Sequence, residues 1–196
     1  MAKSKQNSMD FAGMELECAD LTATGDVVVT GGLTYGGVAQ SATSAEVDRM
    51  ADTSARIVTS TASVLALTVT AHAERTVLVN SNTTFANTFT LPAATGSGAK
   101  FTIINNVVQT QGTVVVAAAN TADVMAGICI AVDSTAATNA SPFLTTATSD
   151  KVTLNLTTTG GLGQDKVECW DIAANTWRVE VLIRGSGAIA TPFSAS

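Results

Sequence analysis

The sequence has little of the chemistry that catalytic and metal sites need. His72 is its only histidine, so a Ser-His-Asp relay would depend on one residue at what reads as a turn between strands. Cys18, Cys129 and Cys169 are odd in number and widely spaced, which matches neither a disulfide framework nor a zinc motif. The sequence therefore predicts no enzyme, no cofactor and no metal site, and it predicts buried, unreactive thiols.

Charged residues are also scarce. They make up 13% of the chain, and the formal net charge is −6. Because clustered Lys and Arg supply most nucleic-acid affinity, this composition argues against a nucleic-acid partner. The longest apolar run, residues 124–132, is too short to cross a bilayer as a helix, and the first residues contain no signal-peptide core. We therefore expect no membrane partner, and a protein kept in a cytoplasm or released by lysis.

Threonine is the residue that the sequence over-uses, with 31 copies among 196 residues, and valine and alanine are also abundant. Branched side chains of this kind fit a pleated sheet better than a helix. The length allows one domain with a substantial core plus an additional segment. The composition therefore predicts an all-β protein.

From about Ala55 the chain reads as a series of short strands separated by Gly, Asn, Asp, Ser and Pro. The predicted strands are "ARIVTS", "SVLALTVT", "RTVLVN", "FTLP", "KFTIINN", "GTVVVAA", "VMAGICIAV", "KVTLNLTTT", "DKVECWDI" and "TWRVEVLIRG". Their spacing is typical of a β-sandwich, a jelly-roll-like fold or a barrel. Since most connections are too short for a βαβ crossover, we expect antiparallel pairing.

The last two predicted strands form the clearest hairpin. With a four-residue loop from Ala173 to Thr176, Trp170 and Trp177 would share one apolar face, which Val181 and Ile183 continue. Asp171 would then lie on the opposite face. We expect both tryptophans to anchor the core, with ligand stacking on either ring as the alternative.

Several acidic residues lie beside turn signals, where a short carboxylate can accept hydrogen bonds from nearby backbone amides. They are Asp20, Asp26, Asp123, Asp133, Asp150 and Asp165. No calcium-loop motif is present, and a glycosidase pair formed by carboxylates of distant strands stays open as an alternative. The Gly-rich stretch 157–164, "TTTGGLGQ", lacks the Lys of a phosphate loop and is expected to be a flexible loop.

The N-terminal part of the chain is predicted to serve assembly. Residues 1–20 are expected to form an arm that orders on a partner, and residues 21–45, with "LTATGDVVVTGGLTYGG", a β-repeat or trimerisation segment. A disordered tail and an ordinary hairpin are the respective alternatives. Residues 46–196 are predicted to form the β-sandwich domain. The N-terminal apolar side chains have little local material to cover them, so we expect them at an oligomer or partner interface: Phe11, Met14, Leu16, Leu21, Val27, Val29, Leu33 and Tyr35.

Three stretches in the sandwich region carry a family resemblance. "TLPAATGSGAKF", "DVMAG" and "ECWDIAANTWRV" are the most specific parts of a likeness that spans residues 46–196. Together they resemble structural proteins of tailed-phage virions, some of which are capsid decoration, or cement, proteins. The resemblance implies a homotrimer of β-sandwiches or barrels with an N-terminal arm that grips the major capsid protein.

We accordingly expect a decoration protein on the capsid surface of a virion, made in the host cytoplasm. Its expected partners are the major capsid protein and further copies of itself. The segment 21–37 is similar to parts of phage fibre and spike proteins. A tail-fibre, spike or neck component that binds a host glycan is therefore the alternative.

Overall fold

The computed structural model describes residues 33–35, 38–40, 56–82, 85–135 and 139–196. The chain divides into two units, residues 1–44 and 45–196. In the first unit, β1 (Leu33–Tyr35) pairs with β2 (Val38–Gln40) in an antiparallel manner. For the segment 21–45 both the shared trimeric sheet and the ordinary hairpin stay predictions.

The second unit contains one single-turn helix, α1 (Val69–His72), and two mixed β-sheets in its described part. The larger sheet has the strand order β10-β9-β13-β12-β7-β5-β3, and the smaller sheet has the order β14-β11-β8-β6-β4. The strands are β3 (Ile57–Ser60), β4 (Val64–Ala66), β5 (Arg75–Val79), β6 (Asn87–Thr90), β7 (Lys100–Asn105), β8 (Val114–Ala117), β9 (Val124–Asp133), β10 (Ala140–Leu144), β11 (Lys151–Leu154), β12 (Asp165–Ala173), β13 (Thr176–Gly185) and β14 (Phe193–Ser194).

The predicted all-β class is confirmed, but the prediction of antiparallel pairing throughout is wrong. From β3 to β8 the chain alternates between the sheets, so β3, β5 and β7 pair in parallel in one sheet. In the same way β4, β6 and β8 pair in parallel in the other sheet. Parallel neighbours need a long crossover connection, and here a strand of the opposite sheet supplies it in place of a helix. The jelly-roll and barrel forms of the prediction are not confirmed.

One hydrophobic core contains side chains from both sheets, as in a sandwich. Phe101, Val179 and Val181 of the larger sheet belong to it, as do Phe89 and Val116 of the smaller sheet. Buried and partly exposed positions alternate along β7, where Phe101, Ile103 and Asn105 are buried. The inner face of each sheet is therefore covered by the other sheet, while the outer face of the larger sheet carries residues that are exposed to solvent.

The predicted hairpin exists as β12 and β13, but its register is shifted by one residue. Asp171 pairs with Trp177, and Trp170 pairs with Arg178, because the connection has two residues and the pairing shifts beside Ile172. Trp177 is fully buried as expected, and its ring meets that of Phe101 edge-on at a centroid distance of 5.7 Å. The prediction that Trp170 shares this core face is wrong, since it points to the outer face.

Candidate interaction surface

Asp171 is the polar centre of one end of the sandwich. Its carboxylate accepts hydrogen bonds from the backbone amides of Thr95, Gly96 and Ser97, at 2.7 Å from Gly96 N. The hydroxyls of Thr95 and Ser97 donate to it as well, the latter at 2.7 Å. Burial opposes the charge, but these donors outweigh it and lower the pKa of Asp171 to about 2. Asp171 is therefore ionised at neutral pH, and it holds residues 95–97 against β12.

A second carboxylate, Asp123, ties a further loop to the same region. Its Oδ2 accepts a hydrogen bond from Ala94 N at 3.1 Å, and the amide of the next residue, Val124, donates to the carbonyl of Asn175. Three residues later, Gly127 lies against β13 so closely that an added Cβ would come within 1.8 Å of the Val179 carbonyl oxygen. The stretches 90–101, 123–127 and 168–179 therefore contact one another at this end of the sandwich.

The outer face of the larger sheet carries a line of charged side chains around Trp170. Lys100 Nζ lies 2.9 Å from Glu168 and 4.6 Å from the centre of the Trp170 ring. Arg178, on the other neighbouring strand, lies 5.5 Å from the same ring. Burial opposes the charge of Glu168, but Lys100 and Lys166 outweigh that effect and hold its pKa below the usual value. Cations thus already occupy the space over the ring that a stacked ligand would need.

Beside this charged line lies a continuous apolar patch, which we define as Ile128, Ile130, Pro142, Leu144 and Leu182. Leu144 is opposite Ile128, and Pro142 is opposite Ile130, across the β9–β10 pair. Ile130 is in turn opposite Leu182 on β13. All four large aliphatic side chains of the patch are exposed. Contiguous apolar patches on a soluble protein mark interaction sites more often than scattered single residues do.

A groove next to the patch has a buried carboxylate, that of Asp165, in its wall. Ile130, Leu182 and Arg184 line the same groove. The Asp165 carboxylate accepts hydrogen bonds from Gly161 N at 2.5 Å and from Arg184 N at 2.7 Å. Burial is the largest influence on it and raises its pKa. At the end of the β12–β13 pair, the Asp165 carboxylate takes the place of a backbone carbonyl as the acceptor for Arg184 N. Its role is therefore structural.

The expectation of a freely flexible loop at residues 157–164 is wrong. Thr159, Gly160, Gly161 and Gly163 are buried, and Gln109 N donates to the carbonyl of Gly161. An added Cβ at Gly161, which has a φ of 104°, would come within 2.8 Å of Leu156 N, so glycine is required there. The loop is packed against the domain and held by Asp165.

Two of the eight predicted interface residues lie in the part of the chain that the structure describes. The other six, Phe11, Met14, Leu16, Leu21, Val27 and Val29, lie outside the described residues. Leu33 and Tyr35 lie on β1, opposite Gln40 and Val38. Their role in assembly therefore stays a prediction.

The described histidine and cysteine side chains are held in place by a hydrogen bond or by burial. His72 closes α1, where its Nδ1 accepts a hydrogen bond from Thr68 N at 3.0 Å, and burial lowers its pKa. Cys129 and Cys169 are buried, and burial raises the pKa of both thiols to about 12, as expected for unreactive cysteines. Cys18 lies outside the described residues. In the described part of the second unit, no three His, Cys, Asp or Glu side chains converge as a metal site would require.

Across the described ranges, no helix combines the length and the apolar character that a bilayer span requires. No protein-family model, no curated protein and no solved structure matches the chain. Any assignment of function therefore rests on the residues themselves.

Sequence reasoning missed the apolar patch, although a signal for it was present. In "VMAGICIAV" the residues that alternate with buried Met125, Cys129 and Ala131 are themselves apolar, so the strand has two apolar faces. β10, which contributes Pro142 and Leu144, was absent from the predicted strands because its sequence, "ASPFL", contains a proline.

Proposed function

We propose that this chain is a structural protein of a tailed-phage virion, a capsid decoration protein that binds the major capsid protein and stabilises the assembled head. The contact between the three resemblance-bearing stretches carries the proposal. Asp171 of "ECWDIAANTWRV" is held by Thr95 to Ser97 of "TLPAATGSGAKF", and Asp123 of "DVMAG" bonds Ala94. The likeness thus concerns residues that hold one scaffold together rather than scattered matches.

The proposed mechanism is stabilisation by mass action. A protein that binds the assembled lattice and not the free capsomers raises the free energy needed to separate them. In a homotrimer, three equivalent contacts act together through their effective concentration. Residues 1–45 provide the arm toward the capsid and the contacts between copies.

The exposed patch supports an assembly role for the domain itself. Its centre is aliphatic and its border carries Lys166, Glu180 and Arg184, an arrangement typical of protein interfaces. The ring of Trp170, in contrast, is accompanied by Lys100 and Arg178, which disfavours a stacked sugar. The surface therefore favours a protein partner over a glycan.

Location within the particle tests this function. Heads and tails of the virus that encodes the chain would be separated, and the protein quantified in each fraction by mass spectrometry and gold-labelled antibody. We expect it on heads, in a fixed ratio to the major capsid protein. Its presence on tails or fibres alone would overturn the decoration role in favour of the tail component, and its absence from particles would overturn both.

A further inference from the structure

The patch on the outer face of the larger sheet is too exposed to serve only its own domain. Leu144 is 73% exposed, Leu182 49%, Ile130 41% and Ile128 38%. They lie on three adjacent strands, β10, β9 and β13, and so form one surface rather than separate residues. Leaving several large aliphatic side chains in water is unfavourable, and covering them is the usual driving force for association.

The patch is built for contact through its face rather than through its edge. Asp133 N donates to the Asn139 carbonyl, and Thr145 N donates to the Gly127 carbonyl, so odd-numbered residues of this segment direct their backbone groups toward β9. Pro142 therefore faces the open edge of β10, where it offers no amide hydrogen. A proline in this position blocks the addition of another strand.

The outer face is basic, although the protein is acidic. Four cationic side chains project from it, against two carboxylates, in a chain of net charge −6. The cations are Lys100, Lys166, Arg178 and Arg184, and the carboxylates are Glu168 and Glu180. An occupant of this face should therefore combine apolar side chains with negative charge.

One segment of the chain has this combination. Residues 10–26 contain five acidic residues and no basic residue: Asp10, Glu15, Glu17, Asp20 and Asp26. Among them stand the apolar residues Phe11, Met14, Leu16 and Leu21. Residues 1–55 as a whole contain eight acidic and three basic residues, so the excess negative charge of the protein is concentrated here.

We propose that the outer face of the larger sheet binds residues 10–26 of a neighbouring copy of the chain. Phe11, Met14, Leu16 and Leu21 would cover the apolar patch, and the carboxylates would lie along the adjoining cations. The patch and the next strand, β12, span about 14 Å, and ten extended residues reach about 33 Å, so the segment is long enough. This inference deepens the self-assembly part of the proposed function and rests on it, but it does not depend on the virion.

The segment is assigned to a neighbouring copy because the inference rests on self-association. The chain enters the described sheet at β3, which is the edge opposite β10 and about 29 Å away, and residues 27–55 are long enough to cross that distance when extended. The same segment of the chain's own copy is therefore the alternative occupant, and the mixing experiment below separates the two. Because each copy would give one segment and receive another, such contacts close into a ring such as a trimer.

The patch is tested in the full-length chain by sedimentation velocity over a concentration series. Leu144→Asp should weaken self-association by at least about tenfold. Val64→Asp is the matched control, because Val64 is 68% exposed but lies on the edge strand β4 of the smaller sheet. It should change association by less than about twofold. Equal effects of the two variants, or none, would overturn the proposal, and circular dichroism verifies that both are folded.

Charge reversal identifies the occupant. Chains with Glu15→Lys and Glu17→Lys should associate weakly, and so should chains with Lys166→Glu and Arg178→Glu. Mixing the two should restore association between unlike chains, because the segment of each variant matches the face of the other. A ring of three would still contain one contact between like chains, so the readout is the appearance of complexes that contain both variants. If mixing restores no association, as is expected when the segment binds its own chain, the proposal is wrong.

These measurements use purified protein only. If the mixture restores association but the protein is absent from viral heads, the decoration role fails and the interface stands. If the protein is on heads but mixing restores nothing, the interface fails and the decoration role stands.

Discussion

Replacing Asp171 with asparagine tests the polar centre that connects the resemblance-bearing stretches. Three backbone amides and two hydroxyls donate hydrogen bonds to its carboxylate. These donors replace the water molecules that would hydrate the charged form in solution. Asparagine has the same shape but presents an NH₂ group toward one set of these donors. The variant loses the charge-assisted hydrogen bonds, and it also places a buried donor against other donors. Together these effects should lower the free energy of unfolding by about 3 kcal/mol.

The pKa of Asp171 predicts how this cost depends on pH. A fall from 3.8 to about 2 on folding corresponds to about 2 kcal/mol of stability contributed by the ionised form. Because the folded-state pKa is depressed, this contribution is present above the unfolded pKa near 4 and is lost as the pH falls toward 2. The variant has no such group, so the difference between the two proteins should shrink from about 3 to about 1 kcal/mol over that range.

Urea denaturation at a series of pH values measures this difference. Glu180→Gln serves as the control, because this carboxylate forms only a half-exposed ion pair with Arg178 and should change stability by less than about 0.5 kcal/mol. A difference between wild type and Asp171→Asn that stays constant from pH 7 to pH 2 would refute the argument, since it would mean that the ionised carboxylate contributes nothing.

Three further changes test the core, the sheet and the division of the chain. Trp177→Ala should lower the free energy of unfolding by about 3–5 kcal/mol in urea denaturation, whereas Trp177→Phe should cost less, because the buried indole NH has no hydrogen-bond partner among the described residues. Gly127→Ala should cost about 3 kcal/mol or more, because a Cβ would collide with the Val179 carbonyl; normal thermal stability would contradict the close β9–β13 approach. A chain beginning at Ala45 should keep its β-rich circular dichroism but sediment as a monomer, and a stable trimer would contradict an N-terminal assembly device.

The sequence was sufficient to predict most strands but not their pairing. Each of the ten predicted segments overlaps a strand of the structure, although "FTLP" covers only the second half of β6, and in "SVLALTVT" the strand ends at Ala66 and α1 begins at Val69. Alternation of apolar residues records which face of a strand is buried, and it is the same in parallel and antiparallel sheets. Parallel pairing between β3, β5 and β7 depends on the chain crossing to the opposite sheet, which no local pattern reveals.

The register error in the last hairpin has a local cause. "AANT" is compatible with a four-residue loop or with a two-residue turn, and a difference of this kind exchanges the faces of the side chains. In the structure Asn175 has a φ of 60°, a conformation that asparagine tolerates, and the turn is short. Trp170 consequently leaves the core, and Asp171 enters it and meets the Thr95 loop. The most heavily hydrogen-bonded carboxylate was therefore assigned to the wrong face.

The residues that hold the scaffold and those that would contact partners lie on different surfaces. Asp171, the Thr95 loop and Asp123 act at one end of the sandwich, whereas the patch around Ile130 and Leu182 faces outward from the larger sheet. A change in the patch leaves the hydrogen bonds of Asp171 intact, so chains with this scaffold can differ in what they bind. For this reason binding by the outer face can be tested with substitutions in the patch while the scaffold that Asp171 and Asp123 hold together stays unchanged.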